Sequence, residues 1–223
     1  YNMYFVETNG ARSRGNTFII SFFTLCVAYF FLSATSEYLL ISDNLFYNFF
    51  GGNVNDDRIS ELIIESGKWK LVTYLVLPVF LMIKLFLVTI CFPIGTLVLG
   101  IDNSFRKLFQ LTVMMEYIFL IPPVIKLFWF SLYQTDYALE DLQYFSPLSV
   151  FSLFNSKEVE PWLAHPLQLL IVFELLYWFA LAYHLREITC KIFTGSLGFV
   201  ASTYGIGLLI WVVFVMFLVV SLT

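Results

Sequence analysis

The stretch VFLMIKLFLV, residues 79–88, decides the fold class, because nine of its ten side chains are apolar and the tenth is Lys84. An ammonium group among apolar side chains is costly unless a partner compensates its charge. The apolar run continues on both sides over residues 71–100, and a helix of about 20 residues is enough to cross a hydrocarbon layer ~30 Å thick. The stretch therefore predicts a membrane-spanning helix whose single charge needs a partner inside the membrane.

The composition of the whole chain agrees with this interpretation. Its 223 residues are 60% hydrophobic and 13% charged, and the mean hydropathy is +0.83. Soluble domains average about 45–50% apolar and about 25% charged residues, so this chain lacks the polar surface that a core of its size needs in water. With a net charge of −4 and no basic run, nucleic acid is not expected as a partner. The lipid bilayer is the expected partner.

Apolar runs long enough to cross a bilayer occur five times along the sequence. We therefore predict an all-α polytopic bundle, residues 1–223, with five transmembrane helices in a single domain. The predicted spans are 17–42, 71–100, 108–133, 163–185 and 196–222, and the outer loops are 43–70 and 134–162. Only the short sequence LREITCKIFTG joins the last two spans, so these two helices are expected to be antiparallel neighbours.

Each outer loop contains one segment with the pattern of a short interfacial helix. In DDRISELIIESGKW, residues 56–69, Asp56 or Asp57 is expected to cap the helix. In SPLSVFSLFN, residues 146–155, Ser146 is the expected cap and Pro147 the first helical residue. Either helix is expected to cover the rim of the bundle or to bind a partner.

The distribution of Lys and Arg predicts the orientation in the membrane, since these residues are in excess on the cytoplasmic side. Six lie in the N-terminal region and the two loops on the same side, and four lie in the two outer loops. The six are Arg12, Arg14, Arg106, Lys107, Arg186 and Lys191, and the four are Arg58, Lys68, Lys70 and Lys157. We expect a cytoplasmic N-terminus and an external C-terminus. Trp69, Trp129 and Trp162 fall at the outer ends of spans, as interfacial tryptophans do.

Four ionisable residues fall within the predicted spans: Lys84, Glu116, Lys126 and Glu174. A charge at the middle of a membrane helix costs about 2.5–3.5 kcal/mol on insertion scales. Lys84 and Glu174 are both near the middle of their helices, so we expect them to pair. Lys126 is expected to extend outward. The network either fixes the register of the helices, or relays protons or ions through Glu174, Lys84 and Glu116, or includes a protonated Glu or a charge directed at a partner subunit.

Two further patterns suggest packing faces. Glu174, Tyr177, Trp178 and Leu181 form one helical stripe, which is either an internal face or the wall of a cavity. Small residues recur every three or four positions at the start of span five, where they allow close approach of a helix from this chain or from a second copy. They are Gly195, Gly198, Ala201, Ser202 and Gly205.

Sequence signatures of catalysis are missing, so an enzyme is not expected. The sequence has no HExxH, no GxSxG and no Gly-rich phosphate loop after a strand. Cys26, Cys91 and Cys190 are scattered among apolar residues, and His165 and His184 are the only histidines, so neither a metal site nor a cofactor is expected. No cleavable signal peptide is recognisable.

The segments GIDNSFRKLFQLTVM (100–114), SPLSVFSLFN (146–155) and the closing hairpin from LLIVFELLYW to WVVFVMFL (169–218) resemble the bacterial branch of the Yip1-like membrane proteins. The resemblance lies in the pattern of spans and loops over about residues 95–220. It implies a five-helix bundle without catalysis, and eukaryotic relatives that act as membrane scaffolds. This chain lacks their long hydrophilic N-terminal region and carries more charge within its spans, so the resemblance assigns no site residues.

From these observations we expect a non-catalytic integral membrane protein that serves as a scaffold, assembly factor or accessory subunit, with a protein partner or a second copy of itself. The alternative is a small permease or an ion- or proton-conducting unit that uses the intramembrane charges. The 44 aromatic residues, 26 Phe, 13 Tyr and 5 Trp, fit an AT-rich bacterial source, and the expected location is the bacterial inner membrane.

Overall fold

A computed structural model describes residues 3–50, 55–101, 103–154, 159–169 and 172–222. In these ranges the secondary structure is entirely helical. The α-helices are α1 (Met3–Leu40), α2 (Asp43–Phe50), α3 (Asp56–Val98), α4 (Phe105–Met115), α5 (Ile121–Leu132), α6 (Leu139–Tyr144), α7 (Pro161–Leu169), α8 (Val172–Thr189), α9 (Phe193–Val200) and α10 (Ile206–Leu222). Glu116–Leu120 and Val150–Leu153 are 3₁₀ turns, and Ala201–Gly205 is a π turn.

Four helical segments of the described chain are long and apolar enough to cross a membrane: Ile19–Leu40, Val72–Val98, Phe105–Leu132 and Phe193–Ser221. They coincide with predicted spans one, two, three and five. Large apolar side chains such as Phe80 (62% exposed) and Leu97 (81% exposed) point outward from them. An apolar outer surface of this extent is stable in hydrocarbon and not in water, so the helices indicate an integral membrane protein.

The predicted span 163–185 is not among these four segments. It is divided between α7 and α8, and residues 170 and 171 lie outside the described chain. Helix α8 has 18 residues but includes the charged side chains of Glu174, Arg186 and Glu187, and these lower its hydropathy below that of the other spans.

The segment 56–69 is not a separate interfacial helix, so that prediction was wrong. It forms the first turns of α3, which continues for 43 residues through Pro78 and Pro93. The side chain of Asn55 accepts the Asp56 N–H and caps this helix, so the predicted Asp cap was also wrong. No glycine or proline separates residue 69 from the apolar run, which explains why the helix does not break there.

The predicted helix in residues 146–155 is shorter than expected. Only the 3₁₀ turn Val150–Leu153 forms, and Ser149, not Ser146, caps it by accepting the N–H of Ser152. Leu148 has a positive φ of 58°, which interrupts any helix that would begin at Pro147. Additional helices, α2 and α6, form in the two outer loops and pack on each other.

The core lies where α3 meets α4, α8 and α9. Its buried residues include Phe92, Tyr177, Leu181 and Phe199. A second cluster around Leu25 joins α1 to α3 and α4. The buried carboxylates Glu116 and Glu174 lie beside these clusters, so the side chains around them are mainly aromatic and aliphatic.

Candidate functional site: the intramembrane polar network

Lys84 and Glu116 form an ion pair between α3 and the 3₁₀ turn that follows α4. The Glu116 side chain is 1% exposed and the Lys84 side chain is 39% exposed. Lys84 Nζ also lies 4.3 Å from the centre of the Phe119 ring, where the ring's negative face attracts a cation. The ammonium in the apolar stretch 79–88 thus has a carboxylate partner on a neighbouring helix.

Two prolines interrupt the regular α-helix of span three just after Glu116. Pro122 and Pro123 cannot donate hydrogen bonds to the carbonyls of Ile118 and Phe119, four residues earlier. The chain before them tightens into a 3₁₀ turn over Glu116–Leu120, in which the Ile121 N–H bonds to the Ile118 carbonyl. The turn changes the register between α4 and α5, and Glu116 lies at this junction.

The predicted pairing of Lys84 with Glu174 was wrong. Glu174 Oε1 accepts two other hydrogen bonds, from Trp178 Nε1 at 2.9 Å and from the Tyr204 hydroxyl at 2.8 Å. Trp178 follows Glu174 by four residues on α8, so the two side chains share a helix face. The carboxylate of Glu174 is therefore solvated by two neutral hydrogen-bond donors of the chain itself.

The π turn Ala201–Gly205 brings Tyr204 to Glu174. Such turns add one residue to a helical turn and often occur at functional sites. Next to Tyr204, Gly205 has no side chain, and a Cβ there would lie 2.8 Å from Cη2 of Trp178. Gly205 is thus required for the Trp178 ring to reach its bonding position beside Glu174.

Two buried polar atoms near these carboxylates have no hydrogen-bond partner: Glu116 Oε2 and the Tyr177 hydroxyl. The Tyr177 ring contacts Phe119, with ring centres 5.0 Å apart, and Tyr204, with ring centres 5.4 Å apart. Tyr177 thus lies between the two carboxylate centres. Unpaired polar groups in a protein interior are uncommon and require an explanation, such as a bound water or ion.

Lys126, the fourth predicted member, is not part of this centre. Its Nζ donates to the carbonyl of Leu142 in α6, at 2.6 Å. The side chain therefore ties span three to the outer loop. Its direction is toward the membrane boundary, where long basic side chains usually end.

A second ion pair was missed by the sequence analysis. Lys70 Nζ lies 2.6 Å from Glu37 Oε1, and the Tyr74 hydroxyl donates to Glu37 Oε2 at 2.6 Å. The pair joins the C-terminal end of α1 to α3. The available signal was an acidic residue late in span one and a basic residue at the start of span two, both at the same predicted membrane boundary.

The small residues of span five have different roles. Gly205 packs on Trp178 within the chain, and Gly195 lies against the stem of Lys191. Gly198 has no neighbour within 4 Å of its Cβ position. The hydroxyl of Ser202 bonds to the Phe199 carbonyl. Ala201 begins the π turn. The five residues therefore do not form one packing face: Gly205 faces the interior of the chain, and Gly198 faces outward.

The described cysteines are free thiols, and no group of three His, Cys, Asp or Glu side chains within the described ranges is arranged to hold a metal ion. His184 is exposed, and its ring packs edge-on against Tyr183. The side chain of His165 lies outside the described part of the structure.

Comparison of the chain with models of protein families, with curated proteins and with solved structures finds no match in any of the three. The resemblance to Yip1-like proteins stays a prediction. Functional inference accordingly depends on the geometry of the polar network and on the surface of the bundle.

Proposed function

We propose that this chain is a non-catalytic integral membrane protein of the bacterial inner membrane that acts as a scaffold, assembly factor or accessory subunit of a larger complex. The observation that carries the proposal is the use of the intramembrane charges. Lys84 pairs with Glu116, Glu174 accepts from Trp178 and Tyr204, and Lys126 binds a backbone carbonyl. Each charge serves as a connection between elements of the bundle.

A bundle of five spans follows if α7 and α8 together form the fourth. Helix α8 packs on α9, and α7 packs on α10, so the pair runs alongside the last span over its length. With a rise of 1.5 Å per residue, α8 alone is about 27 Å long, close to the ~30 Å hydrocarbon thickness. Five spans put the two termini on opposite sides of the membrane, and the excess of Lys and Arg on the N-terminal side makes the proposed N-terminus cytoplasmic and the C-terminus external.

The outer loop 134–162 offers a contact surface for a partner protein. Leu148, Leu153 and Phe154 are exposed, Leu153 by 81%. Leu148 and Phe154 line a shallow cavity of about 550 Å³ together with Trp129 and Tyr144, and Leu153 is their neighbour in the chain. Outside the hydrocarbon layer, a group of exposed apolar side chains marks an interaction site. The proposed occupant is an apolar segment of another membrane protein.

Purification in a mild detergent, followed by identification of co-purifying chains, tests this function. We expect a second polypeptide with the wild-type protein and its loss from Leu153→Glu. Tyr38→Glu is the matched control, because Tyr38 is 87% exposed at the outer end of α1, away from this surface. Wild-type protein that purifies without a partner, or equal retention by both variants, would contradict the proposal.

One observation favours the alternative of a permease or a proton- or ion-conducting unit. Glu116 Oε2 and the Tyr177 hydroxyl are buried without a hydrogen-bond partner, and the Tyr177 ring lies between the two carboxylate centres; buried polar atoms of this kind often bind water. A path would use Glu174, Lys84 and Glu116. In reconstituted vesicles, this alternative predicts a proton or cation flux that Glu174→Gln abolishes in folded protein, and the scaffold predicts no flux.

A further inference from the structure

A groove runs along the membrane-facing side of α9 and α10, beside the end of α3. We name it the span-five groove; its volume is about 610 Å³. One wall includes Gly195, Gly198 and Ser202, and the other includes Ile94 and Val98. The side chains that line the groove are largely apolar. There is free space beside Gly198, since nothing lies within 4 Å of a Cβ placed there.

α3 and the last span approach each other closely along the groove, at Gly95 and again at Gly207, where an added Cβ would lie 2.7 Å from Sγ of Cys91. At Gly95, an added Cβ would collide with Thr203 and Phe199, so the absence of a side chain sets the close approach. Gly198, three residues along the last span from Gly195, faces away from that contact. The two helices therefore touch along this line, and the groove stays open beside it at Gly198.

The length of the groove fits one leaflet of a bilayer. Its two walls run together from Cys91 to Val98 on α3, about 10 Å, and the longer wall extends from Gly195 to Ile210, about 22 Å. Half of the ~30 Å hydrocarbon layer is ~15 Å. An acyl chain of one leaflet matches these dimensions, whereas a membrane-spanning partner helix needs a groove about twice the length of the shared walls or more.

The open end of the groove carries a positive charge. Lys191 lines this end, in the turn between α8 and α9, and its aliphatic stem lies over Gly195. Lys191 is exposed, and among the described residues it forms no ion pair. Arg106, Lys107 and Arg186 belong to the same end of the bundle, against the single described acidic residue Glu187. An anionic headgroup is complementary to this end.

We propose that the span-five groove binds an anionic phospholipid, with one acyl chain between α3 and the last span and the phosphate beside Lys191. The small side chains accept the acyl chain, and the basic end selects the headgroup. This site is independent of the outer-loop surface on which the scaffold proposal depends.

The test measures lipid retained by the purified protein. The protein is exchanged into micelles that contain phosphatidylglycerol and phosphatidylcholine in equal amounts, separated by size-exclusion chromatography and extracted for lipid analysis. We expect about a fivefold preference for phosphatidylglycerol, the factor that one basic residue near an anionic lipid provides. Lys191→Gln is expected to abolish the preference and to keep acyl-chain binding.

Filling the groove tests the acyl-chain part. Gly198→Leu places a side chain into open space, and we expect it to reduce the retention of both lipids. Gly67→Leu is the matched control, because Gly67 also has nothing within 4 Å of its Cβ position but lies on α3 far from the groove. Unchanged retention in Gly198→Leu would overturn the proposal. So would a change of oligomeric state in this variant without a change in lipid, since a second helix would then be the occupant.

Discussion

Lys84 and Glu116 pair across α3 and the 3₁₀ turn 116–120 with very unequal exposure, 39% for the lysine side chain and 1% for the glutamate. The lysine lies at the edge of the bundle and can turn away from the protein interior if its partner is lost, whereas the glutamate is enclosed. The buried carboxylate has the Tyr29 hydroxyl, 3.5 Å away, as its other hydrogen-bond partner. Because of this difference in exposure, replacing the lysine and replacing the glutamate should affect stability differently.

We expect Lys84→Met to be the more destabilising change. Removing one partner of a buried pair leaves an uncompensated charge and costs about 3–5 kcal/mol. Glu116→Gln leaves a lysine that can extend outward, so its cost is expected to be about 0.6–1.7 kcal/mol, the range for polar contacts inside membranes. The free energy of unfolding in mixed micelles, measured by the loss of helical circular dichroism, compares the two.

The control for this pair is Lys107→Met, which changes an exposed lysine at the start of α4. We expect its free energy of unfolding to stay within ~0.5 kcal/mol of the wild type. The combined change Lys84→Met with Glu116→Leu removes both charges and is expected to recover much of the stability lost in Lys84→Met. A double variant less stable than either single variant would contradict the ion-pair interpretation.

Gly205→Ala is expected to disrupt the bonding of Glu174. The added Cβ would lie 2.8 Å from the Trp178 ring, and overpacking of this kind costs about 1–3 kcal/mol. The ring would have to move away from Glu174, so its fluorescence spectrum should also change. Gly67→Ala adds the same methyl group in open space within a helix, where we expect a gain of about 0.5–1 kcal/mol. Equal effects of the two substitutions would show that Gly205 is not tightly packed.

Lys126→Met is expected to loosen the outer loop without changing the spans. The lost hydrogen bond joins Lys126 to the Leu142 carbonyl, and bonds to charged groups contribute about 1.5–3 kcal/mol. Hydrogen exchange of residues 139–144 should accelerate by about tenfold or more, whereas α3 should be unaffected. Lys126→Arg keeps a donor and should restore slow exchange. Lys68→Met, at an exposed lysine of α3, should leave the loop unchanged.

The positions of four spans followed from the sequence, because a long apolar run has few alternatives to a membrane helix. The partner of Lys84 did not follow, because it depends on which helix packs on α3 at the level of Lys84, and no local sequence pattern specifies that packing. The hydrogen bond between Tyr204 and Glu174 was not predicted either, because it depends on the π turn 201–205 and no local sequence pattern specifies that turn. The prediction of a separate interfacial helix at 56–69 was wrong, because the same sequence pattern also fits the first turns of a longer helix.

We propose that α7 and α8 together cross the bilayer as the fourth of five spans, with Glu174 inside it. Residue 153 and Cys190 lie on the two sides of this segment, and both positions are exposed. In a protein with Cys26 and Cys91 changed to Ala, labelling by a membrane-impermeant maleimide at Cys190 and at Leu153→Cys decides the topology. Five spans predict that the external reagent labels residue 153 in intact cells and labels Cys190 only after the membrane is opened. Labelling of both positions from the same side would contradict the account.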